Sequence, residues 1–64
     1  MYLITRNIEN KKITGNHKNP SIKKLENWPC QEKDEAIEVT EQEHNFLLEN
    51  GLNYIYENNQ IKEV

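Results

Sequence analysis

The stretch Thr40-Glu41-Gln42-Glu43-His44-Asn45-Phe46-Leu47-Leu48-Glu49-Asn50-Gly51 decides the fold. Thr40 followed three residues later by Glu43 is a capping box, in which each side chain accepts from the other's backbone N–H. Glu41 and Glu43 also suit the positive end of a helix dipole. Phe46, Leu47 and Leu48 supply apolar content, and Gly51 fits a left-handed stop. The pattern predicts a helix over 41–50. His44 stands three residues after Glu41, which predicts a surface hydrogen bond between them.

Working outward, Ala36-Ile37-Glu38-Val39 reads as an extended segment with Ile37 and Val39 on one side. Beyond the helix, Asn53–Glu57 reads as a strand, Asn58-Asn59 as a turn and Gln60–Val64 as the return strand. That register places Glu57 opposite Gln60, Tyr56 opposite Ile61 and Ile55 opposite Lys62. Near the start, Tyr2-Leu3-Ile4-Thr5 is β-branched and aromatic, and a second strand surrounds Ile13. A two-residue turn at Asn10-Lys11 sets Glu9 against Lys12 and Ile8 against Ile13. Gly15 to Pro20 reads as a loop. Ser21 to Asn27 reads as one or two helical turns with Ile22 and Leu25 spaced i, i+3, ended by Pro29. Gln31 to Glu35 reads as a polar linker. The expected fold is α+β, a small antiparallel sheet of two hairpins plus a short strand, packed by one short helix. It is expected to form one small domain over residues 1–64.

The chain has 64 residues, of which 34% are hydrophobic. A domain this small buries only about 60% of its unfolded surface, which leaves little room for a deep catalytic cleft. The single cysteine, Cys30, excludes an internal disulfide. No apolar run approaches the ~20 residues of a membrane span, and no signal-peptide core follows Met1. Asn, Lys, Ile and Glu dominate; their codons are A- and T-rich, so a low-GC genome accounts for the bias.

The net charge of −3 hides two unlike halves. Residues 1–31 carry +4 and residues 32–64 carry −7. Lys11, Lys12, Lys18, Lys23 and Lys24 form a candidate basic patch, which with an aromatic platform could hold a single nucleic-acid strand. The acidic total opposes that use. Glu32, Asp34, Glu35, Glu38, Glu41 and Glu43 form a candidate acidic face, suited to occupying a basic groove on a protein that handles nucleic acid.

No catalytic, metal or cofactor set can be named. Cys30, His17 and His44 show no ligand spacing. Ser21 is the only serine and lies in no nucleophile elbow. Cys30 with His17 or His44 is conceivable as a thiolate pair, but a lone cysteine beside Trp-Pro reads first as a small apolar residue. Two glycines make no phosphate-cradling loop. Trp28, Tyr54 and Tyr56 are the candidate interface residues, being the residue types that anchor protein contacts, although each also suits a small core.

Ala36-Ile37-Glu38-Val39-Thr40-Glu41-Gln42-Glu43-His44 followed by Phe46-Leu47-Leu48-Glu49 resembles the C-terminal part of bacteriophage tail fibre assembly proteins. There, an extended apolar stretch enters a short capped helix with paired leucines, and a two-stranded tail follows. Tyr54 to Ile61 is similar to that tail, with Asn58-Asn59 replacing a glycine-containing turn. Tyr2-Leu3-Ile4 and Asn10-Lys11-Lys12-Ile13 look like the starts of short virion-associated proteins. The likeness covers about the last 29 residues, with an echo in the first 15, and the longer N-terminal region of the assembly chaperones is missing. It implies a non-enzymatic phage or prophage accessory protein acting by protein–protein contact or self-association. Its expected place is the bacterial cytoplasm or the virion. Nucleic acid, membrane and small-molecule substrate are not expected partners. A small acidic inhibitor of a host nucleic-acid-handling or defence protein is the alternative, and nucleic-acid binding through the lysines is a third reading.

Overall fold

The computed structural model describes residues 1–19, 21 and 23–64. The described order is β1 (Tyr2–Asn7), β2 (Ile13–Lys18), a single 3-10 turn (Leu25–Asn27), β3 (Asp34–Glu38), α1 (Glu41–Asn50), β4 (Tyr54–Glu57) and β5 (Gln60–Glu63). The fold is α+β. Strands β2-β1-β3 form one antiparallel sheet and β4-β5 a second.

The helix begins and ends where its sequence dictates. Glu43 N–H donates to Thr40 Oγ1 at 3.1 Å, and Thr40 N–H donates to Glu43 Oε1 at 2.9 Å. Gly51 takes φ 87° and sends its N–H back to Leu47 O, closing the last turn where a side chain would be strained. The C-terminal hairpin has the expected register, with Tyr56 opposite Ile61 and Glu57 opposite Gln60. Asn58 and Asn59 take φ 54° and 62°, the primed turn that matches strand twist.

The first hairpin differs from the simple two-residue turn. Strand β1 runs on to Asn7, and its loop spans Ile8–Lys11, closed by Lys11 N–H to Asn7 O at 2.9 Å. Asn7 sets this loop. Its Oδ1 accepts from the N–H groups of Glu9 and Asn10 at 2.9 and 3.0 Å, and Lys11 takes the left-handed conformation at φ 65°. Glu9 and Lys12 therefore do not face one another, and Ile8 is left 45% exposed.

Gly15 also departs from expectation. It lies inside β2, opposite Thr5, and is not the start of a loop. A Cβ there would stand 2.5 Å from His17 Nε2 and 2.7 Å from Thr5 Oγ1. The residue is glycine because an imidazole occupies that space. Between Gln31 and Glu35, expected as linker, β3 already starts at Asp34. The short helical segment is one 3-10 turn over Leu25–Asn27, and Ile22, assigned to it from sequence, lies outside the described residues.

Ile4, Ile13, Val39, Leu47 and Tyr56 form the core, with Tyr2, Ile37, Tyr54 and Ile61 packed against it. This is the layer between the three-stranded sheet, α1 and the C-terminal hairpin. Leu47 supplies the helix's apolar contribution, whereas Phe46 and Leu48 are 40% and 67% exposed. A 3.6-residue period places them on opposite flanks of the buried stripe. His44 joins Leu47 in the interior and does not bond Glu41 at the surface. Its Nδ1 lies 2.8 Å from Asn16 Oδ1, while Asn16 Nδ2 donates to His44 O at 3.0 Å. That second bond fixes the amide orientation, so Nδ1 carries the proton.

Two links join the sheets. Tyr56 N–H donates to Lys11 O at 3.0 Å beside a Lys12–Ile55 bridge. Arg6 reaches across from β1, donating Nη1 to Tyr56 O and both Nε and Nη2 to Glu35 Oε1 at 2.9 and 2.7 Å. No helix among the described residues is long and apolar enough to cross a membrane.

Candidate functional site: an aromatic and carboxylate pocket on the outer sheet face

Strand alternation sends Ile4 and Arg6 toward the helix layer and Leu3 and Thr5 to the other face. Leu3 is fully buried there. On that outer face a pocket of about 450 Å³ is lined by residues from all three strands and the segment after the 3-10 turn. Trp28, Cys30 and Lys33 come from that segment, Thr5 from β1, Thr14 and His17 from β2, and Asp34 from β3.

His17 is the hinge of the arrangement. Its ring lies over Gly15 and packs against the Trp28 indole, with centroids 4.6 Å apart and planes tilted by 41°. A partly exposed tryptophan is thereby seated on the sheet through a histidine and a missing Cβ. Burial, and secondarily the charge of His44, hold the His17 pKa below its ordinary 6.5, so the ring is neutral near pH 7.

Opposite the aromatic wall stands a hydroxyl chain. Thr14 Oγ1 lies 3.0 Å from Asp34 Oδ2 and 3.0 Å from Thr5 Oγ1. A hydroxyl has one proton, so Thr14 gives its own to the carboxylate and accepts from Thr5. Asp34 Oδ2 is thus engaged, while Oδ1 takes part in none of the described hydrogen bonds. The pocket presents an aromatic wall, an oriented carboxylate and a lysine at its rim.

The predicted site residues scatter. Trp28 lines this pocket, but Tyr56 is buried at 4% exposure and belongs to the core, so its ring is not offered to a partner. Its phenol is pushed above the ordinary tyrosine value of 10.0 by burial and then by the Glu43 carboxylate, with Arg6 acting the other way. Tyr54 packs on the helix side, edge-on to Phe46 at 5.3 Å. The three aromatics do not form one surface.

The acidic face also divides. Glu35 is tied to Arg6, Asp34 to Thr14 and Glu43 to the helix cap, while Glu32, Glu38 and Glu41 are exposed. Nor do the lysines form one patch. Lys11 and Lys12 sit at the tip of the first hairpin and Lys18 at the far end of β2, about 20 Å away at the strand rise of ~3.3 Å per residue. Lys18 Nζ stands 5.5 Å from the centre of the Tyr2 ring, and Lys23 and Lys24 are exposed.

Gly15, His17, Thr5 and Thr14 were not singled out from sequence. The available signal was the i, i+2 spacing of Gly15 and His17, which on a strand puts them on one face; Ile13 faces the core instead, because the β1–β2 register shifts between Thr5 and Arg6. Among the described residues no group of three or more His, Cys, Asp or Glu side chains is placed to hold a metal ion. No protein-family model, no curated protein and no solved structure matches the chain.

Proposed function

We propose that this protein is a small non-enzymatic interaction module that binds another protein. The observation that carries the reading is Trp28. Its indole is partly exposed yet held on the sheet by the His17 ring over Gly15. A rigid, partly open tryptophan costs little side-chain entropy on docking and is the residue type that dominates binding energy at protein contacts. The likeness of residues 36–49 to tail fibre assembly proteins supports a setting among phage or prophage accessory proteins, in the bacterial cytoplasm or on the virion.

The test is affinity capture from bacterial lysate together with sedimentation velocity on the purified chain. The expected result is a retained partner or a concentration-dependent oligomer that Trp28→Ala weakens by about tenfold or more, the loss typical of a contact anchor. A strict monomer that retains nothing overturns the reading. Inhibition through the acidic face is the competing reading, and three of its six carboxylates are already spent on internal bonds. Binding carried by the remaining acids weakens steeply with salt, whereas a tryptophan-anchored contact holds.

A further inference from the structure

We propose that the outer-face pocket receives an arginine side chain of the partner protein, its guanidinium held between the Trp28 indole and the Asp34 carboxylate. The inference rests on the protein-binding reading above and names the chemistry of the contact.

Three features select arginine. Trp28 offers an aromatic face, and tryptophan is the best side chain for attracting a cation through its ring quadrupole. Asp34 lines the pocket and is oriented by Thr14, whose bond at 3.0 Å engages Oδ2 and leaves Oδ1 with its acceptor capacity unused among the described hydrogen bonds. A guanidinium is planar and carries five donors, so it can lie against the indole while donating edge-on to a carboxylate. An ammonium meets the charge requirement without the planar stacking. Burial keeps His17 neutral near pH 7, so it does not repel an entering cation. Lys33 does oppose entry, from an exposed position at the rim where its long side chain can turn away. The net charge of −3 favours a basic partner at longer range. The pocket volume of about 450 Å³ is ample for one side chain with part of its backbone. Arg6, the chain's own arginine, is committed to Glu35 and Tyr56 on the opposite face.

Trp28 is the only tryptophan, so its fluorescence reports this pocket alone. The experiment titrates the full chain with three blocked tripeptides, acetyl-Gly-Xaa-Gly-amide, in which Xaa is arginine, lysine or citrulline. Citrulline keeps the shape and planarity and removes the charge; lysine keeps the charge and removes the plane. The expected result is a saturable change with the arginine peptide and binding at least about tenfold weaker for the other two, the factor expected of a charge-assisted contact. Asp34→Asn abolishes the preference for arginine over citrulline. Lys33→Ala, which touches no described hydrogen bond of its side chain, tightens arginine binding and covers the case in which Asp34→Asn fails to fold. Equal responses to all three peptides, or none at Trp28, overturn the inference. A captured partner whose contact maps away from Trp28 overturns it too, while leaving the protein-binding reading in place.

Discussion

At Gly15 a single hydrogen atom decides the outer face of the sheet. Replacing it by methyl sets a carbon 2.5 Å from His17 Nε2 and 2.7 Å from Thr5 Oγ1, and the imidazole must leave. Gly15→Ala is expected to cost about 1–3 kcal/mol, the usual range for overpacking, and to shift the Trp28 emission as its stacking partner moves. Chemical denaturation followed at Trp28 checks both. His17 also gives this face a pH dependence. Its folded pKa lies below 6.5, so between the two values the unfolded chain binds more protons. This contribution to stability is therefore complete above the unfolded pKa, falls as pH drops below about 6.5, and levels off below the folded pKa. Denaturation midpoints measured from pH 8 down to pH 5 are expected to decline, and His17→Phe is expected to flatten the decline. The residues that build this pocket were hard to see in the sequence because each has a plainer local meaning. Glycine beside asparagine reads as a turn, and a histidine near proline reads as loop. Only pairing with β1 shows this segment to be a strand, on which Gly15 and His17 share a face.

The helix and the last hairpin were legible because their signals are local. Thr40, Glu43 and Gly51 each act within one turn, and Asn58-Asn59 sets its strands by its own backbone preference. Thr40→Ala is expected to lower stability by about 1 kcal/mol, the value of a lost N-cap, and thermal melting checks it. Asn59→Gly is expected to leave the fold unchanged and to raise the melting temperature slightly, because glycine meets φ 62° without steric cost. The first hairpin was misread for a related reason. Asn10-Lys11 has the composition of a two-residue turn, but Asn7 collects two backbone N–H groups on its side chain and begins the reversal earlier. A side chain that bonds two and three residues ahead outweighs the preference of the residues at the centre. Strand β3 also started earlier than its apolar residues suggested, since Asp34 pairs with Asn7 and so extends the ladder into polar sequence.

Across the whole molecule, one compact core is shared by both sheets and the helix. Leu47 is 2% exposed at its centre, and Leu47→Ala is expected to cost 2–5 kcal/mol, about the range for such truncations. That loss is a large part of the stability available to so small a domain, and urea titration is expected to show a chain largely unfolded at modest denaturant. The class of the fold followed from periodicity, but the division into two sheets did not. Nor did the way the two sheets are joined, in which Arg6 reaches from β1 past Glu35 to the Tyr56 carbonyl, a contact between residues 50 apart in the chain. No pattern in the neighbourhood of Arg6 announces that partner. The charge halves of +4 and −7 are joined at one point by the Arg6–Glu35 ion pair.

The seam between the sheets sets an order in time. Its described hydrogen bonds come from Lys11 and Arg6, acting on Tyr56, which follows them by 45 and 50 residues. The β1–β2 hairpin can close in microseconds from neighbouring residues, as can the β4–β5 hairpin. The join between them must meet the closure entropy of a long loop before any of its bonds forms. During synthesis the loop at Ile8–Lys11 therefore waits, formed but unsealed, until Tyr56 has emerged. Through that interval Ile4 and Ile13 have only part of their final cover, because Tyr56, their partner in the core, is not yet in place.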